Sequence, residues 1–260
     1  MDGNLIFLKE LKTECPYIKN KKFTSENVFV ESVSAEDLCT LLQKGYRHFG
    51  KYFFRPICKN CHRCIPLRIP VEGYKISKSA KKLINQNKEI QITLNEPAPD
   101  RESFNLYCRH KEKFDRPVQE QYADYIRSFF APLAFNKQIT MTYKDKIICI
   151  SHIDITKELI SAVYCYYDTS MDKASLGTYA IIQELIIAKQ LGVPYLYLGY
   201  YIEESPHMRY KKRFRPNQAL IKEGNWIDFI DKDGNFLDSK GMKKGFQPKK
   251  KLIEYCASAV

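Results

Sequence analysis

The chain has 260 residues, 44% of them hydrophobic and 13% aromatic, which suits one large globular unit or two tightly packed subdomains. No apolar run approaches the roughly 20 residues of a spanning helix, and the opening MDGNLIFLKELKTE lacks the layout of a secretory signal; we expect a monomeric cytoplasmic protein with no membrane partner. A net charge of +12 favours a polyanionic partner, although lysine-rich surfaces also serve solubility alone, and nine cysteines without an export signal argue for thiols or a metal rather than a disulfide framework.

In chain order, SAEDLCTLLQKG reads as a capped helix, with Ser34 or Asp37 near its start and Gly45 past its end. The turn YFFRPICKNCHRCIPLRI follows. Its Cys58, Cys61 and Cys64 are spaced to share one soft cation, with Cys15 or His62 as a possible fourth ligand; equally, they are small core residues. Next comes the basic cluster KSAKK, and then PAPD, the best punctuating turn; we divide the chain into residues 1–100 and 101–260. ESFNLYCRHKEKF and VQEQYADYIRSFF carry apolar residues at three- and four-residue steps and read as helical. QITMTYK, KIICISHIDI and LISAVYCYYD read as an antiparallel meander. A helix from Ser175 to Leu191 stops at Gly192-Val193-Pro194, and PYLYLGYY is a buried strand. Strands, then a helix, then a strand describe an α+β domain.

Two further segments carry candidate chemistry. In VYCYYDTSMDKASLGTYAIIQEL a tyrosine-lined strand ends at Asp168 and a small-residue turn opens a helix at Ser175, where unpaired N–H groups suit a phosphate or an oxyanion. The plain alternative is an Asp turn and a Ser cap without a ligand. In YLYLGYYIEESPHMRYKKRFRP a buried strand runs into cations interleaved with Tyr210 and Phe214, a pattern suited to single-stranded RNA or simply to a solvated face. KKGFQPKKK near the end adds a further basic cluster.

From ECPY (14–17) through GYRHFGKYFFRPICKNCHRCIPLRI, KSAKKLINQN, LISAVYCYYD, SLGTYAIIQE and YLYLGYYI to MRYKKRFRP, the chain resembles the arginyltransferase and bacterial leucyltransferase family of aminoacyl-tRNA–protein transferases, which tag N-termini for degradation. The resemblance implies an acetyltransferase-like (GNAT) fold, two subdomains around a central cleft, with residues 1–100 carrying the cysteine turn and 101–260 the transfer subdomain. Its length is similar to the shorter bacterial form, which joins Leu to N-terminal Asp or Glu of acceptor proteins; eukaryotic relatives use Arg. GYRHFG and LYCRHKEKFDRPVQ depart from the family pattern and leave donor and acceptor choice open.

On this resemblance Asp168, Ser175 and Tyr179 are the catalytic candidates. Tyr164, Tyr166, Tyr167 and Gly177 would line the aminoacyl pocket. Lys78, Lys81, Lys82, Arg209, Lys211, Lys212 and Arg215 would meet the charged tRNA, and Arg47, Arg55 and Arg68 the acidic acceptor. The aminoacyl ester is already activated, so no cofactor is required for the chemistry. Cys15, Cys58, Cys61 and Cys64 would hold zinc or an iron–sulfur cluster. The rivals are an arginyl-tRNA–protein transferase, an N-acetyltransferase using acetyl-CoA and a non-catalytic RNA-binding module.

Overall fold

A computed structural model describes residues 5–114 and 121–236. The first three residues of VQEQYADYIRSFF, and KKGFQPKKK, therefore lie outside the described residues. The chain forms two compact units, Met1–Tyr74 with Tyr197–Val260, and Lys75–Leu196. This corrects the expected division at residue 100, because the chain returns after residue 196 to complete the unit it began.

In the first unit β1 (Leu5–Glu14) and β2 (Lys22–Val30) form an antiparallel hairpin. Helix α1 (Ala35–Gln43) starts where the sequence says it should: the Ser34 hydroxyl accepts from the Asp37 N–H at 3.0 Å, and Asp37 answers in a capping box. It buries Leu38, Cys39, Leu41 and Leu42. Strands β3 (Arg47–Phe49) and β4 (Tyr52–Pro56) complete a sheet of order β1-β2-β4-β3. β5 (Ile65–Pro70) follows the cysteine turn.

The second unit begins with α2 (Lys78–Gln86), β6 (Gln91–Asn95), α3 (Arg101–Lys111) and α4 (Tyr122–Phe129). The expected meander is β7 (Asn136–Tyr143), β8 (Lys146–Ile155) and β9 (Leu159–Tyr167), in the order β9-β8-β7-β6. A short 3-10 turn, Asp172–Ala174, leads into α5 (Leu176–Gln190). Helix α5 is apolar on nearly every side, and Leu176, Tyr179, Ile181, Ile182, Leu185 and Ala188 are all buried, as befits a helix at the centre of a unit. Its Glu184 is buried too, and accepts from the Ser151 hydroxyl at 2.7 Å.

The chain then returns through β10 (Tyr195–Tyr201), inside which the division falls, and through β11 (Asn217–Lys222) and β12 (Asn225–Ile230). In the first unit these strands run β12-β11-β5-β10, with Gln218 opposite Arg68 and Ala219 opposite Leu67. Among the described residues no helix is long and apolar enough to cross a membrane.

Candidate functional site

Strand β9 delivers its tyrosines to opposite faces, as the two-residue period of a strand requires. Tyr166 is fully buried, its hydroxyl 2.6 Å from that of Tyr125, and burial raises its pKa; it is a core residue rather than the pocket wall expected of it. Tyr164 is half-buried among Tyr107 and Phe129, at ring separations of 6.0 and 5.4 Å. Tyr167 faces the other way. Its half-buried ring lies across the first turn of α5, where a Cβ on Gly177 would meet ring carbon at 3.0 Å. Gly177 thus admits a tyrosine ring, not the ligand backbone contact expected of it.

Asp168 and Ser175 are the ends of one turn. The Met171 N–H donates to the Asp168 carbonyl, Ala174 to Met171, and Ser175 to Asp172, at 3.3, 3.0 and 3.1 Å. The Asp168 carboxylate accepts from the Ser170 N–H at 2.9 Å and its hydroxyl at 2.6 Å, and these bonds, with help from nearby Arg109, hold its pKa below the usual carboxylate value. A carboxylate so stabilised is a weak base. Ser175 is left-handed, at φ +45°, and its hydroxyl makes no cap bond to α5, so the expected Ser cap is replaced by a strained entry that leaves the helix N-terminus without a side-chain cap. Tyr179 is buried, with its pKa raised by that burial, and the catalytic part expected of it falls away.

Helix α2 is tied to this turn. Gln86 Nε2 donates to the Lys173 carbonyl and Asn87 Nδ2 to the Ala174 carbonyl, both at 2.9 Å. Ala80 faces inward, while Lys78, Lys81 and Lys82 are exposed. The turn before α5 is therefore tied to the C-terminal end of α2, and the exposed lysines lie toward the other end of that helix, within the same unit. Beyond the end of α3, Lys113 Nζ donates to the Tyr167 hydroxyl at 3.3 Å and stands 4.5 Å from its ring centre. The Tyr167 N–H donates to His110 Nδ1 at 3.1 Å. Burial, against the opposing pull of Cys165 and Cys149, brings the Lys113 amine down to about 8.

The first unit treats its cations differently. Arg55 is buried, donates from Nε to Glu26 at 2.9 Å and from Nη1 to the Lys44 carbonyl at 3.0 Å, and stacks on Tyr46, which also bonds Glu26; it is a structural ion pair and not the acceptor ligand expected. Arg47 is buried against Gly199, where a Cβ would meet Nε at 3.2 Å. Arg68 donates to Gln218 at 2.8 Å and to Tyr197 at 3.2 Å and lies 4.5 Å over Trp226; it is half-buried. In the basic run, a 3-10 turn over Arg209–Arg213, Lys211 donates to the Tyr200 carbonyl and Lys212 pairs with Glu203. Phe214 is buried and unavailable for stacking, whereas Arg209 and Arg215 are exposed.

Cys15, Cys58, Cys61 and Cys64 lie within electrostatic reach of one another. Burial first, and then the neighbouring thiols, raise the pKa of Cys58 and Cys64, and the Cys58 sulfur accepts from the Thr24 N–H at 3.3 Å. Among the described residues no group of three or more His, Cys, Asp or Glu is arranged to hold a metal ion. The donor chemistry suits a soft cation.

Residues 13–82 match the model of the arginine-tRNA-protein transferase N terminus, and residues 102–221 that of its C terminus. The aspartate/glutamate leucyltransferase of Campylobacter jejuni subsp. jejuni serotype O:6 is 33% identical over 219 residues, 81% of this chain and 90% of that protein. The chain belongs to the arginine-tRNA-protein transferase family. The aspartate/glutamate leucyltransferases of Methylobacillus flagellatus (37% over 205 residues; 75% of this chain, 79% of that protein) and Hahella chejuensis (31% over 230 residues; 86% and 97%) agree. Among solved structures, L-PGS from Bacillus licheniformis is 17% identical with a TM-score of 0.42, covering 65% of this chain and 52% of that one, too loose a likeness to carry an argument. As an aminoacyl-tRNA–protein transferase, the protein is an enzyme; the purely RNA-binding reading is set aside.

Sequence reasoning missed the residues that assemble this transferase's second unit around α5: Gln86 and Asn87, whose amides hold α2, and Lys113 with His110, which hold Tyr167. KSAKKLINQN contained the first pair within a recognised motif. The second pair gave no local signal, since HKEKF reads as the solvated end of a helix.

Proposed function

We propose that this transferase moves leucine from its tRNA onto the N-terminal Asp or Glu of acceptor proteins, making an N-degron. The observation that carries the reading is the agreement of curated relatives on that donor and acceptor along 79% to 97% of their length. The exposed Lys78, Lys81 and Lys82 of α2, a helix whose far end is tied to the turn before α5, support an RNA contact on this unit. The acetyltransferase-like (GNAT) fold belongs to the same proposal, supported by the succession of β8, β9 and α5.

The ester of aminoacyl-tRNA is already activated. The acceptor α-amine attacks its carbonyl, the C–N bond forms, the C–O bond to the terminal ribose breaks, and the ribose hydroxyl leaves with a proton. The uncapped N–H groups at the start of α5 suit the ester oxygen or the terminal phosphate. Asp168, ionised throughout the working range, suits a fixed anion that draws the acceptor's ammonium, and its low basicity removes it from the proton-accepting part first expected. Within the first unit, half-buried Arg68 remains the proposed counter-charge for the acidic acceptor side chain, and Arg209 and Arg215 further RNA contacts, while the buried Arg47 drops out. No step is routed through a metal; a zinc or iron–sulfur centre at the four thiols stays a proposal, and would require their side chains to turn.

The test uses purified protein, individually charged tRNAs, and peptides beginning with Asp, Glu, Lys, Arg or Ala, scored for mass added at the N-terminus. Leucine on Asp and Glu alone is the expected result. Arginine in its place would shift the chain to the second reading, which the description of the matching family models favours. A mass gain from acetyl-CoA, or none from any tRNA, would overturn both.

A further inference from the structure

Amide formation by this route must move a proton off the attacking nitrogen and onto the departing ribose oxygen. Asp168 is poorly suited to that task, since two hydrogen bonds from Ser170 stabilise its charged form. The buried Tyr166 and Tyr179 are not open to substrate. Lys113 is different: its amine is half-buried, held by the Tyr167 hydroxyl at 3.3 Å and by the ring face, and that ring rests on the first turn of α5 at Gly177. Among the described residues no carboxylate is paired with it. The groups around it are Tyr167 and Cys165 on β9, Cys149 on β8, and Phe114, whose ring centre is 4.9 Å from the amine; His110 on α3 and Asp172 in the turn before α5 act on Tyr167.

We propose that the Lys113 amine, held against Tyr167 beside the first turn of α5, is the proton shuttle of the transfer reaction. Neutral Lys113 takes a proton from the attacking α-amine as the C–N bond forms, and the resulting ammonium gives it to the ribose oxygen as the C–O bond breaks. The lysine ends as it began, so no other reactant is consumed. An amine whose pKa is brought down to about 8 by burial is partly neutral at working pH, which an ordinary lysine is not. The proposal rests on aminoacyl transfer as proposed above and adds the residue that handles the proton.

The test is the single-turnover rate of leucyl transfer to an Asp-initiated peptide, followed from pH 6 to pH 8.5 in wild type, Lys113→Met and Lys113→Arg. Below the two titrations the wild-type log rate should rise with a slope of about two, one proton from the acceptor ammonium and one from Lys113; in Lys113→Met the slope should fall to about one. Turnover in both variants should drop by roughly 10²-fold or more with leucyl-tRNA affinity within about twofold, Arg included, because a guanidinium keeps its proton. A small tertiary amine, which accepts a proton but cannot form an amide, should partly restore Lys113→Ala. A slope unchanged in Lys113→Met overturns the assignment whatever the size of the rate loss, because a merely structural lysine lowers the rate without removing a titration. Wild-type protein that transfers from no charged tRNA fails at the earlier reading and takes this one with it.

Discussion

Each unit sets a basic side chain against a tyrosine ring, and the two pairs have opposite character. In the first, Arg55 stands 4.6 Å from the centre of Tyr46, is fully buried, and has Glu26 and the Lys44 carbonyl as partners. In the second, Lys113 stands 4.5 Å from the centre of Tyr167 with a hydroxyl as its partner and part of its surface open. A guanidinium matched by a carboxylate has no other state to visit. An amine desolvated without a counter-charge is drawn toward its neutral form, and that second state is what chemistry can use.

The largest effect should come from breaking the closed pair. Arg55→Met leaves Glu26 buried without its cation and should cost about 3–5 kcal/mol in urea unfolding, whereas a loss under about 1 kcal/mol would show that water reaches Glu26. The same contrast separates the exposed lysines of α2 from the tied Lys211 and Lys212. Changing Lys78, Lys81 and Lys82 together to Ala should weaken tRNA binding and reduce the slope of log affinity against log salt by about 2–3, with a smaller change for Lys211→Ala with Lys212→Ala; the reverse order would move the RNA to the first unit. The smallest effect is a pH dependence. Because the folded amine of Lys113 titrates near 8 and an unfolded lysine near about 10.4, the unfolded chain binds more protons between those values, and stability should rise with pH across that window. Lys113→Met should flatten the rise; a parallel curve would mean that the amine titrates normally.

How much of this was legible depended on distance along the chain. The capped helix after Ser34, the meander from residue 138 to 167 and the helix ending before Gly192 were readable because a period, a cap or a turn residue announces each locally. The β1–β2 hairpin, β6 and the β11–β12 pair were not anticipated, and the return of β11 to β5 set the unit boundary through pairing that no local pattern records. Asp168 and Ser175 were read as neighbours because one short turn joins them. Arg55 was misread because Glu26 is 29 residues away, and Lys113 was passed over because Tyr167 lies 54 residues on. A carboxylate's basicity, likewise, depended on hydrogen bonds from Ser170 that a bare Asp in a list of letters does not display.

Gly177 contributes a single hydrogen to the molecule's interior, yet the flatness it leaves on α5 is what lets the Tyr167 ring lie down there. Any bulk at that position would lever the ring away and carry its hydroxyl out from under the Lys113 amine. An achiral residue with no functional group would thereby set the basicity of a side chain that it never touches.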